Sequence, residues 1–216
     1  MPSASPIELL RTSVTRTDFT IALIEAWRRR TATVPTKAQV AVLWAQYALE
    51  TGEGAYCWNN NLGNVKVTQA QASAGVPYTM LHNVREIENG KPVTYQPPSP
   101  QTWFRAYDTL SDGMADYVKR FRDGNYSLAW PAVLGGDPEA FAGAIKSRGY
   151  FSAPLVDYQR GMRGLFTKYM RLDDYERAVE AVDSVPTIPA VDDQPIIHAD
   201  PSVYLQNGDD VDTGKA

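Results

Sequence analysis

The residue in this chain best placed to do chemistry is Glu50. It closes an apolar stretch of helical periodicity and is followed at once by Thr51-Gly52. A carboxyl group at that point loses water to its own helix and meets the negative end of the helix dipole. Both effects favour the protonated form and raise the pKa. A carboxylic acid that keeps its proton near neutral pH can protonate a glycosidic oxygen. An isolated glutamate at a helix end is most often just a solvated terminus, so the surroundings decide. Further along, Glu86 and Glu88 flank the approach to an Asn89-Gly90 turn. Two carboxyl groups facing each other across a cleft are the minimal equipment for glycoside hydrolysis.

Other chemistries find little support. Cys57 is the single cysteine, so an intrachain disulfide is excluded, and no histidine stands near it in sequence to activate a thiol. His82 and His198 lie too far apart and are too few for a zinc site of the usual kind, so no metal or cofactor is expected. There is no Gly-rich phosphate loop. The net charge of -4 conceals an asymmetry, with -9 from Asp173 to the end and +5 on the remainder. A basic body favours an anionic polymer, either cell wall or nucleic acid. No nucleic-acid-binding motif accompanies it, and nucleic acid is therefore disfavoured. The run Trp27-Arg28-Arg29-Arg30 fits a polymer-binding patch or, more commonly, the solvated end of a helix.

The elements that must position these residues follow from periodicity. Residues 17–30 predict a helix capped by Thr17 or Asp18, and Pro35-Thr36 open a second that runs to Glu50. The broad apolar face formed by Val40, Leu43, Trp44, Tyr47 and Ala48 marks this second helix as central. Residues 51–65 are turn-rich. HNVREI (82–87) and VTYQ (93–96) predict a hairpin across the Asn-Gly turn, PPSP a loop, and TWFRAY (102–107) a third strand. Helices resume at 110–122, around Ser127–Leu134, after the Asp137 cap, and from Pro154 to Met170. A short helix at Asp174–Val182 is also expected. The fold class is α+β, mainly α-helical, with a small β-lobe beside a cleft. The division is 1–172 as the folded domain and 173–216 as an acidic, Pro-rich tail, flexible from Ser184 on. No apolar run reaches the roughly 20 residues that span a bilayer.

Four segments in order carry a more specific signal: ALETGEG (48–54), NNNLGNVK (59–66), VREIENGKPV (84–93) with WFRAYDTLSDGMADYV (103–118), and DPEAFAGAIKSRGYFSAPLVDYQRGM (137–162). Together they resemble the bacterial N-acetylglucosaminidase family of the lysozyme superfamily, which includes autolysins and the flagellar-rod peptidoglycan hydrolase. The resemblance spans roughly residues 17–170. It implies a lysozyme-like fold and cleavage of β-1,4 bonds between N-acetylglucosamine and N-acetylmuramic acid, in the manner of an endo-β-N-acetylglucosaminidase or muramidase. Glu50 would be the general acid. Glu86, with Glu88 as competitor, would be the second acidic residue, and Tyr150 would line the cleft. Water or the substrate's own acetamido group would complete the displacement. Asn61 and Asn64 would bind sugar substituents or simply hold their turn. Trp58 and Trp103 would stack on sugar rings or fill core.

Departures from the family pattern are Glu53, where an uncharged and often aromatic residue is usual, and the lengths of 67–82 and of the PPSP loop. Two alternatives remain open: a lytic transglycosylase, and a non-catalytic wall-binding module of a phage tail or injection machine. The expected partner is the peptidoglycan glycan strand, in the periplasm or on the wall. The N-terminus lacks the features of a secretory signal. Delivery is therefore expected through a phage particle or a secretion or injection apparatus.

Overall fold

The computed structural model describes residues 5–88 and 91–184, with backbone alone for Ile87 and Glu88. The Asn89-Gly90 turn, the Glu88 side chain, His198 and the tail beyond Ser184 lie outside the described residues. Within them the architecture is mainly α-helical with a small β-lobe.

Helix α1 (Arg16–Thr31) starts earlier than its apolar periodicity suggests. Its cap is Thr15, whose hydroxyl accepts from the Asp18 N–H while the Asp18 carboxylate accepts from the Thr15 N–H. This reciprocal box satisfies two otherwise orphaned donors and fixes the start. Helix α2 (Lys37–Thr51) opens with the same device, Thr36 with Gln39, and stops at Gly52, whose left-handed backbone (φ 57°) a glycine adopts without strain. Every residue from Val40 to Ala48 is buried, Gln46 included. A helix apolar on all sides must lie at the centre, and α2 does.

Packed around it are α1, α5 (Trp130–Gly135), α6 (Pro138–Lys146) and α7 (Leu155–Met170), while α4 (Leu110–Arg122) packs on α1 and reaches α2 through the Tyr117 hydroxyl. Helix α7 runs antiparallel along α2. Gly161 lets Leu49 approach to 3.0 Å of where a Cβ would stand, and Tyr169 packs on Trp44 with ring centroids 5.2 Å apart. Helix α4 lies close against the asparagine turn through Gly113, whose added Cβ would fall 2.1 Å from the Asn60 carbonyl oxygen.

Helix α8 (Asp174–Ser184) packs on α1, so the folded body runs past residue 172. Asp174 is buried there and accepts from the Arg16 guanidinium (3.2 Å) and the Thr17 hydroxyl (3.0 Å). The arginine run at the end of α1 also turns out to be cross-linking. Arg28 pairs with Asp183 at 2.6 Å, Arg29 donates to Ser111, and Arg30 donates to the Ala115 carbonyl.

The β-lobe consists of two separate pairs. β1 (Tyr78–Met80) and β4 (Trp103–Arg105) pair antiparallel with Tyr78 opposite Arg105; β2 (Val84–Glu88) and β3 (Lys91–Tyr95) form the expected hairpin, with Glu86 opposite Val93. The third strand thus joins β1, which the sequence pattern does not announce, and not the hairpin. Its neighbours explain the choice. Trp103 packs on Tyr78 with Val67 and Ala72 in a small apolar cluster of its own, and the Arg105 N–H donates to the Val65 carbonyl. Trp103 is therefore buried core and not a platform for sugars. A short helix, α3 (Gln69–Ser73), and the N-terminal segment 5–14 complete the lobe's attachment, with the Ile7 N–H donating to Tyr78 and the Thr12 N–H to Cys57. Among the described residues no helix is long and apolar enough to cross a membrane.

Candidate active site

Glu50 occupies the last turn of α2, half-buried where α2, α7 and the asparagine turn meet. Burial raises its pKa above the usual carboxyl range, as the sequence suggests. Hydrogen bonds from Tyr158 and Gln46, which favour the ionised form, offset part of that rise. The Tyr158 hydroxyl donates to Glu50 Oε1 at 2.9 Å. Tyr158 is itself held face-on against Phe151, with centroids 3.7 Å apart and planes 4° from parallel.

That stack depends on the loop between α6 and α7. The Lys146 ammonium donates to the carbonyls of Phe151 (2.9 Å), Ser152 (3.2 Å) and Ala153 (3.0 Å), drawing the loop into one tight curve. The same loop begins with Gly149 at φ 71°. A backbone turned that far suits glycine, and it releases the next residue, Tyr150, toward α2.

Tyr150 enters the site through its hydroxyl, which accepts from Gln46 Nε2 at 2.7 Å and donates to the Gly63 carbonyl at 3.1 Å. The Gln46 carbonyl oxygen in turn accepts from Tyr117, whose hydroxyl also reaches the Leu43 carbonyl at 2.8 Å. Gln46 lies one helical turn before Glu50 on the same face. Beneath the acid there is thus a buried layer of neutral donors and acceptors, with Tyr126 set edge-on to Tyr150 at 4.8 Å. Burial holds the Tyr117, Tyr150 and Tyr158 hydroxyls well above the usual phenol range, and the Glu50 carboxylate adds to this at each of them. These phenols remain hydrogen-bond donors and give no proton away at neutral pH.

The asparagine turn does structural work. Asn61 is buried, and its amide donates to the Val65 and Arg105 carbonyls, both at 2.9 Å, while its oxygen accepts from the Val65 N–H at 2.8 Å. A side chain so fully used holds the turn, so the sugar-binding option for Asn61 gives way to the structural one. Asn64 sits at the site: its amide donates to the Glu50 main-chain carbonyl at 2.9 Å, satisfying one of the last open carbonyls of α2. Trp58 is half-buried where the loop pairs with Arg11 of the N-terminal segment.

Glu86 stands on β2, and Lys66 Nζ meets its Oε1 at 2.5 Å. Lys66 follows Asn64 by two residues. The three-residue segment 64–66 therefore touches the main chain of Glu50 at one end and the carboxylate of Glu86 at the other. Glu53 turns away to an ion pair with Lys168 at 2.6 Å and stands 3.7 Å from Arg16. Burial lifts the Cys57 thiol to about 12, which suits a core residue and not a nucleophile.

Gln46, Tyr158 and Lys66 escape the sequence reading. Gln46 is legible as a polar residue in an otherwise apolar helix, four places before the acid. Tyr158 carries no local signal, because its role depends on a contact across 108 residues.

No family model matches the chain, and no curated protein matches it in sequence. Solved structures, however, do resemble it. The glycoside hydrolase domain of FlgJ from Salmonella typhimurium is 22% identical, with a TM-score of 0.45, over 73% of this chain and 99% of that one. The catalytic domain of the autolysin Auto from Listeria monocytogenes is 16% identical, TM-score 0.49, over 77% and 90%. A peptidoglycan hydrolase from Sphingomonas sp. A1 is 18% identical, TM-score 0.47, over 81% and 99%.

Proposed function

We propose that this chain is a peptidoglycan glycan-strand hydrolase that cuts the β-1,4 bond between N-acetylglucosamine and N-acetylmuramic acid with Glu50 as the general acid. The observation that carries the reading is the state of Glu50: a half-buried carboxyl whose pKa is raised by burial, oriented by the Tyr158 hydroxyl above a layer of neutral tyrosines. Burial of this kind favours the protonated form of the acid. Glu50 gives its proton to the leaving glycosidic oxygen as the C–O bond breaks and oxocarbenium character develops at the anomeric carbon. Glu86, charged against Lys66, is the second carboxylate of the pair. Water adds to the anomeric carbon and loses its proton to Glu86, and exchange with solvent resets both groups. This reading places the action on the wall.

The test is digestion of purified peptidoglycan by the wild type and by Glu50→Gln, with reducing ends counted and products weighed. Soluble fragments bearing new reducing N-acetylglucosamine ends, from the wild type alone, are expected. Products lighter by one water would assign a lytic transglycosylase instead. Binding without fragments from either protein would assign a wall-binding module.

A further inference from the structure

We infer that Lys66 is a positioning residue for the second carboxylate: it fixes Glu86 of the hairpin at a set distance from Glu50. The inference rests on the hydrolase reading above and extends it to a residue outside the acid pair.

Three observations meet at this lysine. Its ammonium bonds Glu86 Oε1 at 2.5 Å and Gln101 Oε1 at 3.2 Å, so that one cation ties β2 to the turn that leads into β4. The ammonium also lies 5.8 Å from the centre of the Phe104 ring on β4. The backbone under the lysine is clamped on both sides: Lys66 bridges to Phe104, and Val65 is held by Asn61 and by the Arg105 N–H. A flexible lysine on a mobile loop would give a wandering ion pair. This one starts from a rigid base.

The base is shared with the acid. Asn64 holds the last turn of α2 through the Glu50 carbonyl, and Lys66 stands two residues on, about 7 Å at the greatest Cα extension. The segment acts as a short strut, bonded to the main chain of Glu50 at one end and to the carboxylate of Glu86 at the other. Glycoside cleavage depends on the separation of the two carboxyl groups, because that separation decides whether a water fits between base and sugar. A hairpin does not supply such precision alone, since a two-stranded ribbon is marginal without support. The pair is also exposed enough (35% and 38%) that its Coulomb energy adds little to stability. Its contribution is orientation.

The experiment compares steady-state cleavage of soluble peptidoglycan fragments by wild type, Lys66→Gln, Lys66→Arg, Glu86→Gln and the Lys66→Gln/Glu86→Gln double variant, with thermal melts alongside. Lys66→Gln is expected to lower kcat about 10-fold or more, within what general-base geometry contributes, at nearly constant KM. Lys66→Arg should recover most of that loss. In the Glu86→Gln background the lysine change should cost nothing further, because the group it positions is gone. Multiplying losses in the double variant, or a Lys66→Gln kcat within twofold of wild type, would overturn the inference while leaving the hydrolase reading intact. An inactive wild type would overturn that reading, and the inference with it. A variant that melts early but keeps the same kcat at low temperature would count as a structural role and also overturn it.

Discussion

The two carboxylates sit in opposite kinds of environment. Glu50 belongs to the helical body: it ends a buried helix, meets neutral hydroxyls and an amide, and has no cation against it among the described contacts. Glu86 belongs to the β-lobe: it is half-exposed on a hairpin strand and its partner is an ammonium. Desolvation without a counter-charge favours the protonated form of Glu50. On the proposed reading, the fold separates proton donor from proton acceptor by giving each different solvent exposure and different neighbours. Acid–base pairs at one pH are built by pushing two environments apart in this way.

The largest expected effect comes from removing the proton donor. Glu50→Gln keeps the shape and the Tyr158 contact, and glycan cleavage should fall by about 10³-fold or more, the upper part of the range for general acid catalysis. A loss under tenfold would erase the proposed contrast. The same variant has a second signature. The folded-state pKa of Glu50 lies above its ordinary value of 4.5, so ionising it in the fold is unfavourable. Stability from this group is fully present below pH 4.5 and is lost as pH rises through the raised value. Glu50→Gln should therefore melt above wild type at pH 8 and level with it at pH 4.

Next in size is a change that disturbs the seam between the two regions. Gly113→Ala sets a Cβ 2.1 Å from the Asn60 carbonyl, so α4 must move off the asparagine turn. Overpacking of this kind costs about 1–3 kcal/mol, or roughly 3–10 °C for a chain of this size. Because the turn carries Asn64 and Lys66, cleavage should fall along with stability. Unchanged melting would mean that the seam is more pliable than described.

Much of this contrast is legible in the sequence, though unevenly. Local signals are faithful. The apolar run ending in Glu50, the Asp137 cap and the strands predicted at 82–87 and 93–96 each give the right element within a residue or two. These depend on periodicity and capping, which lie within one segment. What is not legible depends on contacts between distant segments. TWFRAY has the composition of a strand but nothing in it names β1 as its partner, and Asp174 reads as the start of an acidic tail until Arg16 and Thr17 are seen around it. At the candidate site, Glu50, Glu86 and Tyr150 are the residues that type and resemblance single out. Gln46 and Lys66 gain their roles only from what the fold brings to them.

A smaller effect is predicted for the group that orients the acid. The Tyr158 hydroxyl stabilises the ionised form of Glu50, so Tyr158→Phe raises the pKa of Glu50 further. The alkaline limb of the kcat/KM profile should move to higher pH, while the maximum falls by about tenfold through lost orientation. A limb that moves down in pH would show that water enters when the hydroxyl leaves, and that burial at Glu50 depends on Tyr158.

The smallest effect is expected at Glu53, and it tests the comparison from its other side. This residue departs from the pattern of the family that the sequence resembles and lies only three places from Glu50, so its charge could raise the pKa of the acid further. The geometry argues otherwise. With φ at 56° the backbone turns the side chain toward α7, where Lys168 stands at 2.6 Å with Arg16 at 3.7 Å beyond it. A carboxylate so paired presents little net field to a group behind it. The pair is also about a third to a half exposed, so it contributes at most about 1 kcal/mol. Glu53→Gln should leave cleavage within twofold of wild type and the alkaline limb where it is, with melting lowered by only about 1–3 °C. If the limb instead fell toward the ordinary carboxyl range, Glu53 would be part of what keeps Glu50 protonated. The uncharged surroundings described for Glu50 would then be only half of its environment.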